Sequence, residues 1–475
     1  MLSTALEKRI KRQVIGKPHR FLAIAPLGFE QTLVHELLGF GLEFADTESA
    51  PRIAGDGKVE FTAKITEAWK VVAYSRIANR VQMHIADFKA ENFRDLEKKA
   101  AEIPWELYLP CHPEQDAAWH RVEGSLNIHV TCKHSRLYHS DAIAERLQNV
   151  INSHAPQNFF VTLIDDRCTI WLDLSGEELY KRGHERFVND APLKETIAAG
   201  MLFEAIHLAQ KQEILRLQAS PSAQDDTRER NQTAPSHISH SALNITLFDL
   251  MSGSGTFSLE AAYMANGLIP GKCRDFALKH QPAFKPATWN HIVKQERVIL
   301  SETPNGVESK NLITRILTSD ISPKAVEIIK HNVECSPLAG IEPAHVSPEL
   351  RDFFDYTAQE IADACQANTH SGEASPVIVL NPPYGKRLDF DAPKLYTRIG
   401  RRLAELARAL RALGKPLTVA ILAPKDDNRP GSAYTCTANL LRECPGLSPD
   451  HNPAAKCIAT SHGGFSLNVF IAKIE

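Results

Sequence analysis

Apolar and polar positions follow two different patterns along this chain, and the pattern changes near residue 190. Before that point the apolar runs are short and often alternate with polar residues, which is typical of strands with one buried face. Helical periodicity separates these runs, so we expect an α+β region of short elements. The predicted strands are 21–25, 126–132, 159–164 and 169–174, and the predicted helices are 29–38, 65–78, 95–103 and 141–151.

The second part alternates short aliphatic runs with longer helical patterns. Uninterrupted aliphatic runs are typical of strands buried on both faces, and their alternation with helices predicts a doubly wound, mostly parallel α/β sheet. A polar segment at about 218–242 has almost no large apolar residues and is expected to be a flexible insert. The predicted strands are 245–250, 312–319, 376–380, 417–422 and 466–474, and the predicted helices are 193–212, 255–266, 323–335 and 395–413.

Composition indicates a soluble globular protein of several domains. The chain has 475 residues, of which 43% are hydrophobic and 23% charged, with a net charge of -3. No apolar run approaches the ~18 residues of a membrane span, and the N-terminus lacks a secretory signal, so we expect a cytoplasmic protein without a membrane partner. The nine cysteines include no Cys-x-x-Cys pair, so reduced structural thiols and no metal site are predicted.

The N-terminal region contains the densest basic cluster. It is either a contact for nucleic acid phosphates or a solvated tail, and the sequence leaves both open. Because the net charge is slightly negative, any nucleic acid must be bound through local patches of this kind. The cluster consists of Lys8, Arg9, Lys11, Arg12, Lys17 and Arg20.

The tetrapeptide Asn381-Pro382-Pro383-Tyr384 directly follows the aliphatic run 377–380. Two prolines end the strand and fix an extended backbone, so an amide and an aromatic ring are held at the carboxyl edge of the sheet, where open α/β sheets bind ligands. The side-chain oxygen of Asn381 and the C=O of Pro382 could accept both N–H bonds of an aryl amine such as guanine N2. This would free the nitrogen lone pair, while Tyr384 stacks on the extruded base. The structural alternative is a Pro-Pro turn that merely ends a strand.

A glycine loop, Asp249-x-x-x-Gly253-x-Gly255, follows a predicted strand and begins a helix. Glycines permit close approach of a ligand to the backbone, and the N-terminus of the helix offers free N–H groups. Asp249 is placed where a ligand ammonium could bind. The loop lacks the lysine of a P-loop and the third glycine of the dinucleotide fingerprint, and a tight packing turn is the alternative.

Two further acids follow predicted strands. Asp320 is placed where Rossmann-like sheets bind ribose hydroxyls, although a helix N-cap is the alternative. Asp352 stands beside two phenylalanines and could accept from an adenine amine, or it could be an ordinary loop acid. The long interval between Gly255 and Asp320 requires an insertion at about 267–311.

This combination resembles the class I S-adenosylmethionine-dependent methyltransferases. More narrowly, it is similar to the THUMP-domain RNA guanine-N2 methyltransferases, which include enzymes acting on bacterial 23S ribosomal RNA. Two features differ, because the family often has Cys where Ser252 stands and the insert at 218–242 is unusual. The resemblance extends over nearly the whole chain and rests on segments 92–98, 103–106, 135–143, 191–199, 249–256 and 381–388 together with Asp320 and Asp352.

The resemblance implies a basic tail at 1–18, a ferredoxin-like plus THUMP region at 19–185 (THUMP at about 60–165) and a Rossmann-like methyltransferase domain at 186–475. It also implies S-adenosylmethionine as cofactor, RNA as partner and no metal, and it leaves the oligomeric state open. The residues that it assigns to the cofactor are Asp249, Ser252, Gly253, Gly255, Thr256, Asp320 and Asp352, and those for the target base are Asn381, Pro382, Pro383 and Tyr384.

RNA contacts in the first part are expected at Lys133, Arg136 and His139, near a strand end, with ordinary surface charge as the alternative. The expected substrate is ribosomal RNA, and a transfer RNA guanine is the first alternative. A DNA adenine-N6 or cytosine-N4 methyltransferase, a non-catalytic RNA-binding assembly factor and a methyltransferase acting on protein glutamine also remain open.

Overall fold

The computed structural model describes residues 4–44, 46–110, 126–153, 155–188, 192–218, 244–294, 312–341, 346–366, 374–384, 391–427 and 435–474. Most of the predicted insert therefore lies outside the described residues. Up to residue 173 the elements are α1 (Thr4–Ile10), β1 (Pro18–Ile24), α2 (Glu30–Gly39), β2 (Arg52–Gly55), β3 (Lys58–Lys64), α3 (Ile65–Tyr74), β4 (Arg80–Lys89), α4 (Phe93–Ala101), β5 (Asn127–Lys133), α5 (Ser140–Ile151), β6 (Asn158–Ile164) and β7 (Arg167–Asp173).

The later elements alternate more regularly between strands and helices. They are α6 (Glu195–Gln218), β8 (Ile245–Asp249), α7 (Thr256–Ala265), α8 (Pro286–Lys294), β9 (Ile313–Asp320), α9 (Pro323–Glu334), β10 (Pro348–Leu350), α10 (Ala358–Gln366), β11 (Ser375–Leu380), α11 (Ala392–Ala412), β12 (Leu417–Pro424), α12 (Cys436–Glu443), β13 (Lys456–His462) and β14 (Phe465–Ile474).

One compact unit comprises Met1–Ala25, Leu33–Gly183 and Ile269–Val307. Its seven-stranded sheet has the order β2-β3-β1-β4-β7-β6-β5 and is antiparallel except for the β5–β6 pair. Strands β6 and β7 form a hairpin, and its two turn residues, Asp165 and Asp166, have φ angles of 49° and 62°. Such angles suit a two-residue turn, which matches the right-handed twist of the strands. The α+β prediction for this part is confirmed.

The N-terminal segment is helical, which corrects the expectation of a tail. Helix α1 continues into a π-helical turn at Lys11–Ile15. Ile10 and Val14, four residues apart and so on one face of the helix, are both buried in the core. Arg9, from the basic cluster, forms an ion pair with Glu106 at 2.8 Å. The apolar pair gave a helical signal that the surrounding charges concealed.

The second unit comprises Pro26–Thr32, His184–Leu268 and Glu308–Glu475. Its sheet has the order β10-β9-β8-β11-β12-β14-β13, with parallel pairing from β10 to β12 and antiparallel pairing of β14 with both of its neighbours. The aliphatic run 377–380 is fully buried at its centre because helices cover both faces. The predicted doubly wound, mostly parallel sheet is confirmed. In this unit β10, α10, α12 and β13 were not predicted, and in the first unit β2, β3, β4 and α8 were not predicted.

A long amphipathic helix closes one face of this sheet. Helix α11 begins after Asp391, whose side chain accepts from the N–H of Lys394, and it buries Ile399 and Leu403. The hydroxyl of buried Tyr396 donates to the C=O of Leu422 at 3.0 Å, which anchors the helix to β12. Helix α11 thus holds β12, the strand that pairs with β11 up to Leu380. Within the described part of the chain, no helix combines the length and the apolar character that crossing a membrane requires.

Candidate active site

Four of the predicted site residues lie at the carboxyl ends of four adjacent parallel strands. Asp249 ends β8, Asp320 ends β9, Asp352 follows β10 and Asn381 follows β11. Strand β8 pairs with β9 on one side and with β11 on the other. The chain adds β9 and β10 on one side of β8 and then crosses to add β11 and β12 on the other side. The carboxyl end of β8 is therefore the topological switch point, where open α/β sheets bind ligands.

The glycine loop needs glycine at both predicted positions. Gly255 has φ 78°, and a Cβ there would lie 3.0 Å from the side chain of Ile329, so this glycine also permits close packing of α9. Gly253 has φ 54°, and a Cβ there would meet nothing within 4 Å. The loop is therefore strained for other residues, and the space above Gly253 is open to a ligand.

Ser252 and Thr256 hold the loop in place through their side chains. The Ser252 hydroxyl donates to the C=O of Ser319 at 2.9 Å, and the Thr256 hydroxyl accepts from Arg186 at 2.5 Å. Both residues are buried. Their predicted role in binding the cofactor remains a prediction, and the contacts shown support the shape of the loop.

Asp320 connects the glycine loop to the start of α9. One carboxylate oxygen accepts from the N–H of Gly253 and the other from the N–H of Ser322, both at 2.9 Å. The N-cap of α9 is Ser322, whose hydroxyl accepts from the N–H of Ala325. Asp320 is therefore not the cap, and each of its oxygens retains a lone pair for a ligand hydroxyl.

Asp352 begins a short 3-10 helix. Its carboxylate accepts from the N–H of Phe354 at 3.1 Å, which is a local capping contact. Phe353 is buried beside it, and the rings of Phe353 and Phe354 meet edge to face at 5.2 Å. The aromatic surroundings that the sequence predicted are present, and contact of Asp352 with adenine remains a prediction.

Asp249 combines full burial with an unpartnered oxygen. One carboxylate oxygen accepts from both the N–H and the hydroxyl of Ser258, at 3.1 and 2.7 Å. The other oxygen is buried and has no hydrogen-bond partner among the described residues. Burial raises the pKa of Asp249 from 3.8 to about 7, the Ser258 hydrogen bonds oppose this shift, and the charge of Asp320 adds to it. A cation placed against the unpartnered oxygen would stabilise the ionised carboxylate and offset the free-energy cost of burying its charge.

The raised pKa predicts how Asp249→Asn changes stability with pH. Between pH 3.8 and about pH 7, the Asp249 carboxyl keeps its proton in the native protein but has lost it in the unfolded chain. The free energy of unfolding therefore falls as the pH rises through this range. Asn cannot ionise. The melting temperature of Asp249→Asn minus that of the parent, measured without ligand, should therefore be more positive at about pH 8 than at about pH 5. An equal difference at both pH values would show that Asp249 does not titrate in this range.

Asn381 points a buried acceptor into the site. Its side-chain oxygen is excluded from solvent and has no hydrogen-bond partner among the described residues. A buried amide oxygen without a partner costs about 1–3 kcal/mol, so a ligand N–H that pairs with it gains that amount. Pro382 is buried and Pro383 is exposed, as expected of a rigid bend that leaves the sheet. Residues 385–388, which also belong to the motif, lie outside the described residues.

An aromatic residue that the sequence did not indicate lies beside Tyr384. The rings of Tyr384 and Phe465 meet edge to face with their centroids 5.9 Å apart. Phe465 begins β14 after the turn residues Gly463 and Gly464, whose φ angles are 58° and 81°. A Gly-Gly pair between two strand-like runs is a hairpin signal. The hairpin could thus have been predicted, but not its contact with Tyr384.

The same hairpin is tied to the segment before α6. His462 donates through Nε2 to the C=O of Pro192 at 2.7 Å, and its Nδ1 is buried without a partner among the described residues. Burial lowers the pKa of His462. The imidazole is therefore expected to be neutral near pH 7 and to hold the hairpin by its Nε2–H.

Arg186 was also missed and supports the glycine loop. Its guanidinium forms an ion pair with Glu195 in the first turn of α6, and it contacts the hydroxyls of Thr256 and Ser254. The side chain is 11% exposed. No local pattern predicts this contact, because Arg186 and Thr256 are 70 positions apart in the sequence.

The predicted RNA contacts lie in the first unit, at one end of β5. Lys133 ends the strand, and His139 precedes α5 with its ring 4.1 Å from that of exposed Tyr138. Arg136 forms ion pairs with Glu91 and Asp166 while its side chain stays 68% exposed. Carboxylates therefore offset part of the charge of Arg136. Their contact with RNA remains a prediction.

The sheet order, the glycine loop and the Asn-Pro-Pro-Tyr strand end define a Rossmann-like methyltransferase. Residues 237–414 match a family model described as an RMKL-like methyltransferase domain. Residues 20–82 match the RlmL ferredoxin-like domain. The chain thus carries an RMKL-like methyltransferase domain preceded by an RlmL ferredoxin-like domain, which confirms the prediction of a Rossmann-like methyltransferase domain behind a ferredoxin-like module.

Relatives with curated descriptions agree with these domains. The "Ribosomal RNA large subunit methyltransferase K/L" of Shewanella baltica is 29% identical over 390 residues, which are 80% of this chain and 46% of that protein. The corresponding protein of Shewanella sp. strain MR-7 is 28% identical over the same coverage. This chain therefore spans about half the length of the curated relatives it matches.

Solved structures share the fold over nearly the whole chain. A possible methylase from Clostridium difficile 630 matches with a TM-score of 0.63 and 20% identity, over 97% of this chain and 99% of that one. SMU.472, which was crystallised with SAH, matches with a TM-score of 0.63 and 19% identity over the same shares of both chains. At this level of identity the likeness establishes the fold.

Proposed function

We propose that this protein transfers a methyl group from S-adenosylmethionine to the exocyclic N2 of a guanine in large-subunit ribosomal RNA. The buried, unpartnered side-chain oxygen of Asn381 is the main support, because it lies at the switch point of the sheet and lacks only an N–H donor. The names of the curated relatives support ribosomal RNA as the substrate class. A cytoplasmic location belongs to the same proposal.

The glycine loop fits a cofactor with a charged amino acid end. The open space over Gly253 and the N-terminus of α7 suit a carboxylate, and the unpartnered oxygen of Asp249 suits an ammonium. Asp320 would hold the ribose hydroxyls. When bound, S-adenosylmethionine supplies a methyl group made electrophilic by the sulfonium. No metal is required for this chemistry.

Asn381 and Pro382 would prepare the guanine amine for attack. The Asn381 side-chain oxygen and the Pro382 C=O accept its two N–H bonds, which draws the nitrogen toward tetrahedral geometry and frees its lone pair. Methyl transfer would replace the C–S bond of the sulfonium by the new N–C bond, and one amine proton would pass to solvent. The two prolines fix both acceptors beforehand, so the rate gain comes from preorganisation.

The deciding experiment is methyl transfer from labelled S-adenosylmethionine to total RNA of a strain that lacks the gene, with the modified nucleoside identified by mass spectrometry. N2-methylguanosine in the large-subunit ribosomal RNA fraction is the expected result. The same nucleoside in the transfer RNA fraction would keep the chemistry and contradict the target. Because a ribosomal precursor could be required, precursor particles are assayed in parallel. No transfer to either RNA preparation, despite measurable cofactor binding, would contradict the proposal and favour a DNA or protein amide substrate.

Phe465 is expected to form part of the aromatic surface of the target-base site, beside Tyr384, whose ring it contacts edge to face. Base–aromatic stacking is worth about 1–3 kcal/mol, so Phe465→Ala should raise the KM for RNA by roughly 5- to 150-fold. Affinity for the cofactor, measured by calorimetry, should not change. Leu413→Ala, which removes another exposed apolar side chain of this unit, is the matched control. A KM equal to that of the control would remove Phe465 from the site.

A further inference from the structure

Three side chains with metal-binding atoms meet at the end of α9, outside the site described above. His331 and Cys335 are four positions apart on one face of the helix end, and Glu185 comes from the segment before α6. Their ligand atoms all lie within 4.8 Å of one another. We propose that Glu185, His331 and Cys335 form a binding site for a zinc-like divalent cation.

The spacing of the thiol and the imidazole already suits a tetrahedral metal. The Sγ of Cys335 lies 3.6 Å from Nε2 and 3.9 Å from Nδ1 of His331. Zinc bonds of ~2.3 Å to sulfur and ~2.0–2.1 Å to nitrogen, at a tetrahedral angle, place the two ligand atoms about 3.6 Å apart. Because Sγ lies almost as close to Nδ1 as to Nε2, Cys335 or His331 must rotate until the lone pair of one ring nitrogen and the thiolate face the same cation.

Neighbouring contacts fix the third ligand relative to the helix. The ring of Phe187 stacks on the His331 imidazole with centroids 3.8 Å apart and planes 16° from parallel, which orients the imidazole and leaves its in-plane lone pairs accessible. The fully buried side chain of Asn332 accepts from the N–H of Phe187 at 2.8 Å and donates to its C=O at 2.9 Å. The buried amide of Asn332 thus holds the backbone of Phe187 against α9, and Glu185 lies two residues before Phe187.

The donor set selects the class of metal. A thiolate, an imidazole and a carboxylate suit zinc and cobalt, whereas magnesium and calcium prefer oxygen ligands alone. Three protein ligands leave a fourth position for water. Glu185 and Cys335 are exposed, so a cation can enter from solvent. A search for Cys-x-x-Cys overlooks this site, because its signal is a His-x-x-x-Cys spacing on a helix together with a distant acid.

The experiment is a titration of the metal-depleted full chain with Co²⁺. One equivalent should produce the sulfur-to-cobalt charge-transfer absorption in the near ultraviolet and the visible bands of a tetrahedral site, and Zn²⁺ should displace it. Cys335→Ser should abolish the charge-transfer band and weaken binding by more than about 100-fold, since even indirect partners of metal ligands are worth 10- to 100-fold. His331→Gln should weaken binding similarly.

Cys273→Ser is the matched control, because Cys273 is also an exposed cysteine and lies in the other unit. It should leave the cobalt spectrum and affinity unchanged. Melting temperatures measured without metal check that the variants fold. If Cys335→Ser does not fold, the result for His331→Gln tests the proposal. Absence of the band in the parent, or its persistence in both site variants, would overturn the proposal, as would its loss in Cys273→Ser. None of these readouts depends on methyl transfer.

Discussion

Asn381→Ala should lower the turnover number for RNA methylation by at least about 100-fold, the scale found when one preorganised group that stabilises a transition state is removed. The reason lies in the buried oxygen of Asn381, which has no partner among the described residues and so is available to the target amine. Alanine removes that acceptor and leaves the strand end and both prolines in place. Binding of S-adenosylhomocysteine, measured by calorimetry, should stay nearly unchanged.

Asn381→Asp provides the conservative control for this result. The carboxylate keeps an oxygen acceptor at the same position, so this variant should retain more activity than the alanine variant, although burial of its charge has a cost. Loss of cofactor binding in Asn381→Ala would show that the residue is structural. Equal activity in the parent and the alanine variant would exclude Asn381 from catalysis.

The sequence predicted the strand ends of the site well because their signals are local. Residues 377–380 are aliphatic and precede two prolines, so burial, the end of the strand and the position of Asn381 follow from adjacent residues. The same holds for the glycine loop, since φ angles of 54° and 78° require glycine at Gly253 and Gly255. In both places the backbone conformation is determined by the residues that adopt it, so the sequence alone predicts it.

The sequence could not predict contacts between distant segments. Arg186 reaches Thr256, and Phe465 reaches Tyr384, only because the sheet brings their segments together. The roles of acids were ambiguous for a related reason. Asp320 and Ser322 are both good capping residues, and only the structure shows that Ser322 caps α9 while Asp320 binds the glycine loop. The helix at Thr4–Ile10 was missed because its buried face has few apolar residues among many charges.

Asp320→Ala should weaken binding of the cofactor by about 1–3 kcal/mol, or roughly 5- to 150-fold in Kd, the scale of a lost buried hydrogen-bond partner. Two effects act together. The carboxylate is expected to accept from the ribose hydroxyls, and it also accepts from the N–H of Gly253, which positions the loop under the ligand. Asp320→Asn keeps one acceptor oxygen and should show a smaller loss.

Calorimetric titration with S-adenosylhomocysteine measures this effect independently of RNA. Asp355→Ala is the matched control, because Asp355 lies nearby in the 3-10 helix after β10 and has no predicted ligand. The melting temperature of each variant without ligand separates loss of the loop from loss of the contact. If Asp320→Ala binds as tightly as the control, Asp320 is not a ribose ligand. The acid would then only link the glycine loop to α9, and the cofactor would have to be held from the Asp249 side of the loop.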